Sequence, residues 1–349
     1  MKIVARWFVA ASVVATLGTA ATGATADCGP SPGPDAMLIA EPTAAAAIAE
    51  ARAGMPNAEG RLWRVETEPP SYLVGTFHLA AGGIAQPGET LTALVTRASG
   101  LYLELESSTM TEELARWSAN PKNIFRSGDS SFTDAMSPAE REHAEEVLAG
   151  YGMPLVVAEQ MRPLILVGLL SLPPCALAEA DAPGLDEELE RIAVEADVEV
   201  SGLETVAEQI DALEGQPEVM DQILRMTLSL GADDRAMWFT NIALYRTRHI
   251  GAIWTMGLRE MAALVGEDEA ERIGDVFWEA MVARRNRTML QRMLPGLREG
   301  GKVVAVGALH LPGEDGLVAL LREAGLRVTR VASDPHTPAP PRLGLEDPD

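Results

Sequence analysis

Tyr72-Leu73-Val74-Gly75-Thr76-Phe77-His78-Leu79 and Val303-Val304-Ala305-Val306-Gly307-Ala308-Leu309-His310-Leu311 are two copies of one pattern: an apolar run, a glycine, two residues and a histidine. Each apolar run reads as a buried strand. A glycine where such a strand leaves the sheet tolerates φ > 0 and lets backbone or ligand approach closely. The histidine then emerges at the carboxyl end of the strand, where open α/β sheets bind ligands. The chain has only five histidines, so two of them occupy matching contexts near opposite ends of the folded region.

Around the first copy, residues 61–66 alternate polar groups with Leu62, Trp63 and Val65, which predicts a strand pairing with 72–76 across Glu68-Pro69-Pro70-Ser71. A helix over 87–98 and an alternating strand over 100–106 complete a βαβ unit. Around the second copy, the strand at 303–306 is followed by a helix at 316–324 and a strand at 326–331. Between the two copies, Ser137-Pro138-Ala139-Glu140 is a capping box that opens a helix. Residues 161–172 are apolar on nearly all sides and predict a buried helix. Residues 185–196 read as a helix and 198–201 as a short strand, and 219–293 are helical in pattern with breaks near Gly231 and Gly266. The expected fold class is α/β: a mixed, mainly parallel central sheet flanked by helices, with a helical insertion.

The two ends read differently. Lys2 and Arg6, the apolar run 7–19 and Ala24-Thr25-Ala26 have the form of a signal peptide over residues 1–26. The expected organisation is then an N-terminal segment at 27–60, an α/β domain at 61–332 and a disordered tail at 333–349. No later stretch offers the ~18 uninterrupted apolar residues of a membrane span. The formal net charge of −23 disfavours nucleic acid as a partner. The two cysteines, Cys28 and Cys175, predict a disulfide in an exported chain. The alternative is a pair of unlinked thiols.

His78 and His310 are the first candidates for chemistry. A lone histidine at a strand end is most often a satisfied structural group; two in the same frame point to one shared crevice, where neutral imidazoles suit Zn, Mn, Co or Fe. A metal site would still need a carboxylate, and Glu104 and Glu106 offer one. They are expected on one face of the 100–106 strand, where burial is costly without a cation or an arginine; the alternative is an edge strand whose acidic face meets solvent. Glu204 stands at a strand-to-helix turn and either favours the helix N-terminus or points into the crevice. Arg285-Asn286-Arg287 lies on an amphipathic helix; arginine suits a carboxylate or a developing oxyanion, and a solvated face is the plainer reading. His143, His249 and His336 read as ordinary groups. No Gly-x-Ser-x-Gly and no His-Glu-x-x-His occurs.

Gly75-Thr76-Phe77-His78, Glu104-Leu105-Glu106, Gly184-Leu185-Asp186, Gly202-Leu203-Glu204-Thr205 with Gln209, Arg285-Asn286 with Met289, and Gly307-Ala308-Leu309-His310-Leu311 with Gly313 and Gly316 together resemble the TraB/GumN/TIKI family. They come in the family's order over about residues 61–331. The resemblance implies an α/β fold with two related, pseudo-repeated halves, distantly similar to erythromycin-esterase-like proteins, and a divalent-metal-dependent peptidase activity as in the animal TIKI branch. It further implies that His78 and His310 bind metal, that Glu104 or Glu106 is the acidic partner, and that Arg285 and Asn286 match the family's RN pair. Leu309 and Met289 depart modestly from the family pattern.

The resulting expectation is an exported hydrolase, periplasmic or secreted, that acts on a peptide or small-molecule substrate. A divalent ion, Mn, Co or Zn, would be held by His78, His310 and Glu104 and would activate water. Glu204, or the spare member of the Glu104 and Glu106 pair, would be the general base, with Arg285 at the oxyanion and Asn286 beside it. The rivals are a peptide-binding or signal-binding protein using the same crevice without cleavage, and a metal-free esterase in which a histidine activates water directly.

Overall fold

The computed structural model describes residues 28, 42–80, 83–128, 131–179, 182–231 and 235–332. The expected signal peptide and the expected C-terminal tail, with His336, lie outside these. Six strands form one sheet: β1 (Leu62–Val65), β2 (Ser71–Thr76), β3 (Gly100–Leu103), β4 (Val200–Gly202), β5 (Lys302–Gly307) and β6 (Val328–Arg330). Their order across the sheet is β4-β3-β5-β2-β1-β6. β2, β3, β4 and β5 run parallel, and β1 runs antiparallel to both of its neighbours. The architecture is therefore α/β with a mixed, mainly parallel sheet.

The two motif strands are neighbours. β5 lies at the centre between β3 and β2, and its register with β2 places Gly75 opposite Val306 and Thr76 opposite Gly307. Both histidines consequently leave the same end of the sheet, one strand apart. These strands have no polar face because both sides are covered, as parallel sheets require. Leu73, Val304 and Val306 pack on one side against α12 (Arg284–Glu299) and α13 (Leu317–Glu323) through Met289, Met293, Leu297, Leu317 and Leu321. Val74, Val303 and Ala305 pack on the other against α2 (Glu89–Thr96) and α6 (Leu185–Glu195) through Leu91, Val95, Leu185 and Leu189.

The remaining helices form a separate apolar layer at the carboxyl end of the strands. They include α1 (Pro42–Gly54), α3 (Ser107–Ser118), α4 (Pro138–Ala149), α5 (Pro163–Leu170), α7 (Val206–Glu214), α8 (Pro217–Ser229), α9 (Arg235–Arg246), α10 (Ile250–Val265) and α11 (Glu267–Trp278). The capping box at Ser137 and Glu140 is formed and starts α4. α5 is buried nearly all round, as its composition predicts. Phe77 joins this layer, its ring tilted by 57° and 56° against those of Trp238 and Tyr245 of α9, with centroids 6.1 and 5.3 Å away. The Tyr245 hydroxyl donates to the Gly75 carbonyl at 2.9 Å. The first motif is thus gripped from the helical side as it leaves the sheet. Among the described residues no helix is long and apolar enough to cross a membrane.

Three expectations need correction. The strand expected over 100–106 ends at Leu103. Beyond it the neighbouring strand β4 has ended at Gly202, and the chain turns into α3 with Glu106 as its N-cap residue. The helical stretch expected over 219–293 has a further break at Arg248, whose φ is +68°. Finally, His249 is no surface group: it is 5% exposed, with Nδ1 2.9 Å from Glu59 Oε1. Cys28 and Cys175 are joined in a disulfide, as expected, with Cα atoms 4.9 Å apart.

Candidate functional site

The end of β3 delivers the central group. Glu104 is the first residue past the strand and is buried. Its Oε1 accepts the Gly307 N–H at 2.6 Å, at the point where β5 gives way to the turn that carries His310. Its Oε2 accepts from Arg285 Nη2 at 2.7 Å. The carboxylate therefore bridges the end of the second motif strand and a helix from the opposite side of the crevice.

Both motif histidines face it. His310 Nε2 lies 3.5 Å from Glu104 Oε1, and His78 Nε2 lies 3.8 Å from the same oxygen. Each ring is also held at its other nitrogen. His78 Nδ1 is 2.7 Å from Asp186 Oδ2 at the start of α6, and His310 Nδ1 is 2.6 Å from Asn286 Oδ1 on α12. Asn286 Nδ2 donates to the carbonyls of His310 and Asp315 at 3.1 and 2.7 Å. His310 is fully buried, whereas the His78 side chain keeps 22% exposure and so marks the open side.

Behind Glu104 lies a second carboxylate. Glu204 sits between β4 and the Thr205 cap of α7, and Arg285 Nε and Nη2 donate to it at 2.5–3.0 Å. Gln209 Nε2 reaches both glutamates at 3.3 and 3.4 Å. Arg285 Nη1 donates to the Met281 carbonyl at 3.1 Å. Residues 279–283 form a π-helical turn just before α12; a one-residue insertion of this kind rotates the helical turns beyond it. After it both Arg285 and Asn286 are buried, while Arg287 is left outside on Glu279.

The electrostatics arise from burial and proximity. Burial pulls the Glu104 carboxyl upward, but His310, Arg285 and His78 with the Gly307 N–H outweigh it and hold the group at about 2. Burial works against charge on His78, yet Asp186 and then Glu104 raise it to about 9. Burial dominates at His310 and takes it down to about 3. Two imidazoles sharing one carboxylate thus differ in charge because only one has an anion at its outer nitrogen.

The structure brings together His78, His310, Glu104, Glu204, Arg285 and Asn286, six of the seven residues singled out in the sequence. Glu106 is left out: its carboxylate takes the Ser108 hydroxyl at 2.9 Å in an exposed contact. The solvated-face reading of Arg285-Asn286 and the edge-strand reading of Glu104 are both overturned by burial. Asp186 and Gln209 were not singled out for chemistry. Their only signal was their place in the Gly184-Leu185-Asp186 and Glu204-to-Gln209 stretches.

The donor set fits a small cation in chemistry. Bonds of ~2.1 Å to imidazole nitrogen and carboxylate oxygen around a tetrahedron put donors ~3.4 Å apart, and the two separations of 3.5 and 3.8 Å exceed that by tenths of an ångström. Among the described residues no group of three or more His, Cys, Asp or Glu side chains is arranged to hold a metal ion. The spacing is therefore near that of a site without reaching it.

A family model described as the TraB/PrgY/gumN family matches residues 61–330. No protein of curated description and no solved structure matches the chain.

Proposed function

The chain belongs to the TraB/PrgY/gumN family, and from that premise we propose that its crevice is the active site of an exported, divalent-metal-dependent hydrolase acting on peptide bonds. The observation that carries this reading is the convergence of His78 Nε2 and His310 Nε2 on Glu104 Oε1. Charge supports it: Glu104 and Glu204 flank the one guanidinium, Arg285, and Asp186 stands behind His78. Metal binding requires neutral imidazole, so an ion held there would displace the His78 proton and face these carboxylates in its place.

His78, His310 and Glu104 would hold the ion. Such an ion, Zn, Mn or Co, supplies Lewis acidity toward a carbonyl and hydroxide near neutral pH. The chain's own groups do the rest. Asn286 fixes the His310 ring, because its amide nitrogen is spent on two backbone carbonyls and its oxygen must accept from Nδ1. Arg285 and the Gly307 N–H fix the two oxygens of Glu104. Glu204 and Arg285 take parts different from those first expected. Glu204 spends both oxygens on Arg285, so its part is to anchor the guanidinium rather than to act as general base. Arg285 in turn clamps Glu104 rather than meeting an oxyanion. Substrate enters on the His78 side, the half-open wall of the crevice. Peptide as substrate is the inference from the family resemblance. The disulfide belongs to an oxidising compartment and is compatible with export.

The test compares wild type with His78→Ala. After dialysis against Zn, Mn or Co and removal of excess, elemental analysis should find about one ion per chain in wild type, and binding at least ~10²-fold weaker in the variant, in keeping with loss of a direct ligand. Cleavage of a peptide library by the loaded protein should stop on exhaustive chelation. Cleavage that survives chelation would assign water activation to the His78 and Asp186 pair instead. Tight peptide binding without cleavage would leave a binding protein.

A further inference from the structure

His78 has a partner that neither glycine-histidine motif contains. Asp186 Oδ2 lies 2.7 Å from His78 Nδ1. We propose that Asp186 is the positioning residue for His78: it accepts from Nδ1–H and thereby turns the lone pair of Nε2 toward Glu104. The ion-binding consequence rests on the hydrolase reading above; the positioning itself does not.

Three observations support it. The first is the parallel with His310, whose Nδ1 meets Asn286 Oδ1 at 2.6 Å. Both rings are held by a side-chain oxygen from outside the sheet, and both direct Nε2 to the same carboxylate oxygen. Outer partners of this type fix tautomer and orientation of metal-binding imidazoles.

The second is the fit of main chain to main chain. Leu185 N–H donates to the Phe77 carbonyl at 3.1 Å. A Cβ at Gly184 would stand 2.5 Å from the His78 carbonyl carbon and oxygen, so only glycine lets the turn come this close. Glu187 closes the other side of the turn by accepting the Gly184 N–H at 2.9 Å. The first turn of α6 is therefore docked on His78 before any side chain is considered.

The third is what Asp186 does not do. An aspartate in the first turn of a helix ordinarily serves the exposed N–H groups there. Here Oδ2 goes to the imidazole, and Oδ1 is buried with no hydrogen-bond partner among the described residues. A carboxylate accepts and never donates, so the proton on Nδ1 is enforced.

The experiment uses full-length protein with ¹⁵N-labelled histidine and the variants Asp186→Ala and Asp186→Leu, the second of similar volume in case the first does not fold. Spectra are recorded above the pH at which the titration of each protein shows the His78 ring to have become neutral. Wild-type His78 should carry its proton on Nδ1, and either variant should move most of it to Nε2. Zn affinity of the metal-free protein should fall 10- to 100-fold in the variants, with no further loss when the same change is made in His78→Ala. An unchanged tautomer, or an equal affinity loss in the His78→Ala background, would overturn the proposal and leave Asp186 as scaffold. If wild type binds no divalent ion, the hydrolase reading fails, and the tautomer alone decides for or against Asp186.

Discussion

Arg285 shows how residue-scale chemistry can be hidden in a helical pattern. It follows Arg284 and precedes Arg287 in a stretch whose charge reads as solvated, yet it is 3% exposed, between Glu104 and Glu204. An arginine there serves better than lysine because its planar fork can reach two carboxylates and a carbonyl at once. Two buried carboxylates without it would repel each other across the crevice floor. Arg285→Met is therefore expected to destabilise the protein by about 3–5 kcal/mol, the cost of breaking a buried pair from one side, read as a lowered urea midpoint. A loss under ~1 kcal/mol would show that the carboxylates are less desolvated than their contacts indicate. Glu104 was legible as a candidate because an acidic residue at the end of an apolar strand needs a cation. Which cation meets it was not.

Element ends, more than element interiors, assemble the site. β3 stops at Leu103, and the next residue is the shared carboxylate. The π-turn at 279–283 rotates α12 so that Arg285 and Asn286 both face inward. The turn before α6 lies against the backbone of His78. Gly184→Ala is the test at this scale. The added Cβ overlaps main chain, which cannot swing aside as a long side chain would, so about 1–3 kcal/mol of stability is expected to go, together with the contact between Asp186 and His78. Gly54→Ala, where nothing lies within 4 Å, should leave denaturation and ion binding unchanged. Equal behaviour of the two variants would mean that α6 is not fitted to His78 as described. Strands and helices were readable from their period of two or their caps, whereas the shift of a few residues at a strand end, which puts Glu104 in and Glu106 out, has no local signature.

At the scale of the whole molecule, two tethers tie distant parts of the chain into one unit. One is the sheet itself, where β5 from the end of the domain inserts between β3 and β2. The other is the disulfide, which joins Cys28 to Cys175 across 147 residues. Opening a loop of that length returns conformational entropy to the unfolded state, so reduction should lower stability by about 2–5 kcal/mol, measured as a shift of the denaturation midpoint with and without reductant. No shift would show that the N-terminal segment contributes nothing to the folded domain. The sequence by itself determined the class of the fold and the two histidine frames, because strand periodicity and repeated glycine-histidine frames are local properties of the chain; it offered the cysteine pair, Glu104, Glu204, Arg285 and Asn286 as candidates with a plainer reading beside them. Only the tertiary structure decided that the two frames stand one strand apart, that Arg285 turns inward and that Asp186 meets His78. Those are distances between parts separated by eighty residues or more, and they are set by sheet order and helix docking, which no short stretch encodes.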